Sequence, residues 1–354
     1  MKKFKFQDAT FAYLGSKKRQ CTTLASFIDP KKHETLISTF AGGCSFELFA
    51  KHKLGMKIVS NDWSFVSFVA QKALLENNGV KIEAQDIYSL FRENENDGFV
   101  KKNYAKYFTD QTCDFLDTAT ENIRQMADGT KKYLLSHLIV YYITHILPYG
   151  KMGAIYDIRN IKDKGLFDAL QEASGSSESR GRKLIKASQH PLVVLNLLAE
   201  KVNVGIINNN KENSVYSEDV FSFLPKTQQF SGGTVLFADA PYFQSCSYSV
   251  YDSINEILLG HKIKKNNSVF NNKDVEEWFD KFFQASQHID LWLLTYGGKI
   301  ENPDALHSAK FLEMVKKHRP KAKLLKFENF SWSINTLSGK SPSLCEEYLI
   351  IAEL

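Results

Sequence analysis

The stretch Thr234-Val-Leu-Phe-Ala-Asp-Ala-Pro-Tyr-Phe243 constrains this chain most, because an apolar run with no room for a polar face ends in an acid, a proline and an aromatic. It reads as a buried strand emptying into a site. Asp239 supplies a carboxylate acceptor and the Ala240 carbonyl a second acceptor. Pro241 removes a backbone donor and fixes its own φ. It also biases Ala240 toward an extended conformation, so the direction of that carbonyl is largely preset. Tyr242 adds a flat face on which a heteroaromatic ring can stack. Two acceptors beside a stacking platform make a holder for an exocyclic amine on a planar base. On its own, the same run is also read as a strand followed by an Asp-x-Pro turn.

Further segments narrow the choice. In Phe11-Ala-Tyr-Leu-Gly-Ser-Lys-Lys-Arg19, Gly15 permits a tight turn and Lys17 is a cation suited to a ligand carboxylate. In Leu36-Ile-Ser-Thr-Phe-Ala-Gly-Gly-Cys-Ser-Phe-Glu-Leu-Phe49 a short apolar strand meets Gly42-Gly43 and then an amphipathic segment. Strand, glycine turn and helix in that order let a ligand approach backbone N–H groups. Met56-Lys-Ile-Val-Ser-Asn-Asp62 is a strand ending in an acid, about twenty residues beyond the glycine turn, where a carboxylate can accept both hydroxyls of a ribose. The same Asn61-Asp62 pair also reads as a helix cap for the segment from Trp63. Tyr216-Ser-Glu-Asp-Val-Phe-Ser-Phe-Leu-Pro225 reads as a loop entering a short helix.

Together and in this order, the segments resemble the Dam-like, DPPY-type DNA adenine-N6 methyltransferases. The resemblance spans roughly 11–90 and 200–354. Asp239, Ala240, Pro241 and Tyr242 match the catalytic signature. Tyr13, Gly15 and Lys17 match the family's Tyr-x-Gly-x-Lys element. Phe40, Ala41 and Gly42 match its glycine motif, Asp62 its ribose acid, and Asp219 and Val220 its contacts to the cofactor adenine. The chain departs from the pattern at Ser38, where an acid is usual, at Cys44, where the last glycine is usual, and at Ala240, where a proline is usual.

The resemblance implies an α/β fold: a Rossmann-like S-adenosylmethionine-dependent methyltransferase core with a mostly parallel seven-stranded sheet whose last strand is antiparallel. Residues 1–90 and 200–354 are expected to form that core, with 91–199 a mainly helical inserted target-recognition domain. It further implies methyl transfer from S-adenosylmethionine to adenine N6 of a base flipped out of double-stranded DNA, with a cognate restriction enzyme as a candidate partner. Two alternatives accompany it: a methyltransferase-like binding module that has lost catalysis, and an amino methyltransferase acting on cytosine N4, RNA or a protein amide.

Strand candidates continue after the signature. Ile289 to Tyr296 is expected to end at Gly297-Gly298. Lys323 to Phe330 alternates and Glu347 to Ala352 is continuously apolar, as for an edge strand beside a buried one. Within the middle region, Pro148 to Gly165 interleaves aromatics, glycines and basic side chains, which suits contact with phosphates and a base stack. Tyr149, Lys151 and Arg159 there, with Tyr248 from the loop after the signature, are the candidate DNA-binding residues.

With 354 residues and 43% hydrophobic content the chain can bury one good core in about two or three domains. A formal charge of +5 neither demands nor forbids a polyanionic partner. Five cysteines without a Cys-x-x-Cys pair fit a reducing compartment and give no reason to expect a metal. Met1-Lys-Lys is followed by no apolar signal-peptide core, and the most apolar helix candidate, Tyr133 to Leu147, is too short to span a bilayer. A cytoplasmic location is the expectation.

Overall fold

Among the described residues seven short runs form strands: β1 Thr35–Ser38, β2 Lys57–Asn61, β3 Ser214–Tyr216, β4 Thr234–Asp239, β5 Leu291–Lys299, β6 Lys323–Lys326 and β7 Cys345–Glu353. This computed structural model describes residues 3–147, 189–230, 232–242, 251–264, 268–299, 306–327 and 345–354. The strands make one sheet in the order β3-β2-β1-β4-β5-β7-β6. β1 to β5 pair in parallel, whereas β7 runs antiparallel to both β5 and β6. The α/β core with its antiparallel last strand is therefore the architecture expected from the sequence.

The chain divides into two compact units. One comprises Lys17–Trp63, Asn209–Ser247 and Asn266–Leu354 and carries the whole sheet. β1 is buried along its length and β4 up to Asp239, as parallel strands covered on both faces must be. On one face Ile37, Leu236, Trp292 and Ile350 pack with Phe279, Phe283 and Phe311. On the other, Phe237 meets Phe46 with ring centroids 4.7 Å apart. At the sheet edge β6 exposes both its lysines, Lys323 and Lys326, which discourages further strand pairing.

Two details differ from the sequence reading. β5 does not stop before Gly297-Gly298 but runs through them, because β7 continues the ladder with Gly297 opposite Glu347 and Gly298 opposite Glu346. The helix after β2, Phe65–Gln71, has Ser64 at its N-cap position, so Asp62 is not its cap. Gly233, at φ +67, starts β4: a Cβ there would lie 2.5 Å from the Lys32 carbonyl oxygen. Its own carbonyl accepts from Glu34 and Thr35, fixing the start of β1.

The other unit, Met1–Ser16, Ser64–Asn208 and Tyr248–Lys265, is helical among the described residues. Its longest helices are Asp110–Gln125, Thr130–Ile146 and Pro191–Val204. Thr109 caps the first by accepting from the Thr112 N–H. The Asp117 carboxylate on that helix accepts from the Val100 and Lys101 N–H groups, which begin the helix Phe99–Tyr104. The helices directly after β2 group with this unit. No helix among the described residues is long and apolar enough to cross a membrane.

Candidate active site

In a parallel sheet, the crevice for a ligand opens beyond the carboxyl ends of the strands where strand order reverses. Here that point lies at β1, with β2 and β3 to one side and β4 and β5 to the other. Phe40–Gly42 follow β1, Asp62 follows β2, Asp219 and Val220 follow β3, and Asp239 ends β4. All of them belong to the same unit. Sheet registration alone therefore gathers most of the residues picked from the sequence onto one edge.

After β1 the backbone turns through Gly42 at φ 50 and Cys44, also at φ 50. Cys44 occupies the left-handed region, which suits the glycine usual at this position. Beyond it lies the helix Ser45–Phe49. The Gly42 N–H donates to Asp62 Oδ2 at 2.7 Å. The Asn61 side-chain amide clamps the peptide of Glu218, donating to its carbonyl and accepting from its N–H, each at 3.0 Å. That clamp ties the loop carrying Asp219 to the end of β2. Asp219 accepts from the Phe221 N–H and caps the helix Val220–Phe223, while Val220 is buried in the apolar cluster. Phe40 packs its ring against Phe270 and Phe282.

Asp239 is held from two sides. Lys17 Nζ donates to its Oδ2 at 2.7 Å and Thr295 Oγ1, opposite it on β5, donates to its Oδ1 at 2.8 Å. Lys17 Nζ is also 3.2 Å from Glu347 Oε1 on β7, and the Lys17 and Glu347 side chains are only 5% and 2% exposed. Burial alone would lower the Lys17 pKa, but Asp239 and Glu347 outweigh it and hold the ammonium above its ordinary value. Burial raises the Glu347 carboxyl, with Lys17 opposing that rise. Thus Lys17, expected to meet a ligand carboxylate, here bridges two acids of its own chain, since a buried ammonium needs anionic partners. Tyr242 is buried, packs on Tyr296 at 4.9 Å and has Lys17 Nζ 5.6 Å from its ring centroid. Its hydroxyl lies 3.3 Å from Lys17 Nζ.

Tyr13 and Gly15 belong to the other unit. There Tyr13 stacks on Tyr251 with centroids 4.7 Å apart, and the Tyr251 hydroxyl accepts from the Leu14 N–H. Gly15 takes φ 79, a turn that a side chain would strain. Tyr149, Lys151, Arg159 and Tyr248 lie outside the described residues.

The sequence reading missed three side chains. Thr295 and Glu347 surround the Asp239–Lys17 pair. Glu47, buried in the helix after the glycine turn, accepts from the Ser38 hydroxyl at 2.6 Å. Burial first, and then the nearby Asp239 and Asp62, push the Glu47 pKa up to about 7, against the hydrogen bonds from Ser38 and its own N–H. Among the described residues no group of three or more His, Cys, Asp or Glu side chains could hold a metal.

Sheet order and this strand-end cluster define a Rossmann-like methyltransferase core. Residues 13–317 match the model of the D12 class N6 adenine-specific DNA methyltransferases, and the chain belongs to that family. It is also 26% identical, over 296 residues, to Type II methyltransferase M2.HphI of Haemophilus parahaemolyticus, a match that covers 80% of this chain and 82% of that protein. The family match favours adenine-N6 methylation of DNA over the inactive-binder, cytosine, RNA and protein-amide alternatives.

Proposed function

We propose that S-adenosylmethionine is the methyl donor, that the acceptor is an adenine flipped from double-stranded DNA, and that the strand-end cluster of the sheet unit carries both roles. The observation that supports this best is the Asp239-Ala240-Pro241-Tyr242 run at the end of β4, beside the Gly42 turn and Asp62 on the same sheet edge. The donor fits the cleft on two counts. Thr39 Oγ1, buried at the end of β1, has no hydrogen-bond partner among the described residues. Asp62, oriented by the Gly42 N–H at the end of β2, is a carboxylate of the acceptor chemistry that ribose hydroxyls need. The residues of the sheet unit that would hold the donor are Lys17, Phe40, Ala41, Gly42, Asp62, Asp219 and Val220. Bound there, it supplies an electrophilic methyl group.

The chain's own part is to make the adenine amine nucleophilic. Its lone pair is delocalised into the ring. Acceptance of the two N–H groups by the Asp239 carboxylate and the Ala240 carbonyl localises that pair on nitrogen. Positioning then contributes most of the rate. Flipping the base costs a few kcal/mol, which stacking on Tyr242 partly offsets, and that stacking requires the ring to leave the apolar cluster it now occupies. Tyr149, Lys151, Arg159 and Tyr248 are assigned to DNA, with a partner restriction enzyme in the setting of a type II system.

The test is sequencing for N6-methyladenine in DNA from cells expressing the chain, beside an Asp239→Ala control. Methylation at one motif that disappears in the control is expected. Equal methylation by Asp239→Ala would remove Asp239 from the mechanism.

A further inference from the structure

Of the described carboxylates around the Gly42 turn and the end of β4, three are already engaged. Asp62 holds the Gly42 N–H, while Asp239 and Glu347 share Lys17. The fourth, Glu47, is 1% exposed. Its hydrogen bonds come from the Ser38 hydroxyl and its own backbone. No cation lies within ion-pair distance of it among the described residues. A carboxylate buried without a counter-charge is costly, and this one lies within electrostatic reach of both Asp62 and Asp239.

We propose that Glu47 is a cofactor-binding residue of this chain, pairing with the α-ammonium of the methyl donor. The proposal rests on the reading of S-adenosylmethionine as that donor. Asp62 is assigned to the ribose and Asp239 to the methyl-accepting amine, and Glu47 is the acid facing both. The α-ammonium is chosen over the sulfonium on chemical grounds: a carboxylate oxygen beside the sulfonium methyl would be a competing nucleophile, whereas an ammonium cannot alkylate it. The acid that β1 lacks at Ser38 is thus supplied from the following helix, with the Ser38 hydroxyl fixing its position.

The groups that act on Glu47 are Ser38 from β1, Asp62 from the end of β2, Asp239 from the end of β4 and Cys44 from its own turn, while Lys51, one turn further on, acts on Cys44; the segments Lys17–Arg19 and Cys21–Ala25 also pack on its helix, with the Lys17 ammonium held by Asp239 and Glu347 and the Cys21 thiol donating to the Ser45 carbonyl. Burial first, with the neighbouring acids adding to it, keeps Glu47 partly protonated near neutral pH in the ligand-free protein. Arrival of a cation then expels a proton, so affinity and pH are linked.

The experiment is calorimetric titration of the full chain with S-adenosylmethionine and with S-adenosylhomocysteine, which retains the ammonium and lacks the sulfonium. It is run from about pH 5.5 to about 7.5 in buffers of different ionisation enthalpy, so that released protons are counted. In the unaltered protein affinity is expected to climb by up to about tenfold per pH unit, with proton release. Glu47→Gln is expected to bind both ligands at least about tenfold more weakly at the upper end, with no proton release. It keeps an acceptor for Ser38 and should fold, which its denaturation midpoint checks. Equal affinity and proton release in Glu47→Gln would overturn the assignment of Glu47 alone, as would a loss confined to S-adenosylmethionine. Failure of the unaltered protein to bind either ligand would overturn the donor reading as well.

Discussion

Glu47→Gln should stabilise the ligand-free protein at neutral pH and leave its stability in acid almost unchanged. The side chain is 1% exposed. Burial is the largest cause of its raised pKa, which moves from 4.5 to about 7. With the folded-state value above the unfolded one, the folded protein keeps a proton that the unfolded chain releases between those two values. The folded state therefore binds more protons in that window, and stability falls as pH rises through it. At about 1.4 kcal/mol per pH unit, a span of about 2.5 units corresponds to roughly 3 kcal/mol. The substituted glutamine would carry no charge at any pH and would still accept from Ser38, so the variant should lack this slope. Urea denaturation of both proteins at several pH values from about 4.5 to about 8 measures it. The variant should gain roughly 3 kcal/mol over the parent at the alkaline end and nothing at the acid end. A difference that stays constant across the range, or a variant that is less stable at about pH 8, would refute the reasoning.

Lys17→Met leaves the buried Glu347 and the half-buried Asp239 without their shared cation and should cost about 3–5 kcal/mol in chemical denaturation; adding Glu347→Gln should recover part of that, and a cost below about 1 kcal/mol would show that Lys17 does not balance them. Asn61→Ala removes both hydrogen bonds to the Glu218 peptide and should speed hydrogen exchange at the Glu218 amide while weakening S-adenosylmethionine binding through Asp219; unchanged exchange would count against the clamp. Gly233→Ala puts a Cβ 2.5 Å from the Lys32 carbonyl at a φ of +67 and should cost at least about 2 kcal/mol, read from the urea midpoint.

What the sequence showed and what it hid follow from the range of the interactions. β1 and β4 are legible because an apolar run followed by glycine or by Asp-x-Pro is a local pattern, and β2 because its short run ends in Asn61-Asp62; the residues at those strand ends meet through parallel registration. Glu47 is not. An acid in a short helix reads as part of its solvent face, and only the fold brings it to Ser38, nine positions earlier. Glu347 had the same fate, since a charge before a continuously apolar strand looks like the strand's solvent end. β5 was cut short at Gly297-Gly298 because paired glycines normally signal a turn, while the partner strand that carries them was invisible to a local reading. The Asn61-Asp62 pair reads locally as a ribose-accepting acid and a helix cap, and neither reading shows that Asn61 clamps a loop 157 positions away.

The reversed direction of β7 explains how Glu347 reaches the site. Asp239 pairs with Thr295 on β5, and Thr295 pairs with Leu349 on β7. Because β7 runs against β5, moving toward the carboxyl end of β5 means moving toward the amino end of β7, through Tyr348 opposite Tyr296 to Glu347 opposite Gly297. A parallel β7 in the same place would bring its carboxyl-terminal residues to that edge instead. Glu347 and Leu349 are two residues apart and so point to the same face of the sheet. Glu347 therefore meets Lys17 beside Asp239 by sheet register and not through a loop. Sites built on paired strands hold their geometry better than sites built on loops. The antiparallel strand thus does more than close the sheet. It fixes the second anion that holds Lys17 against Asp239, and through Lys17 it ties the Asp239 end of β4 to a rigid ladder.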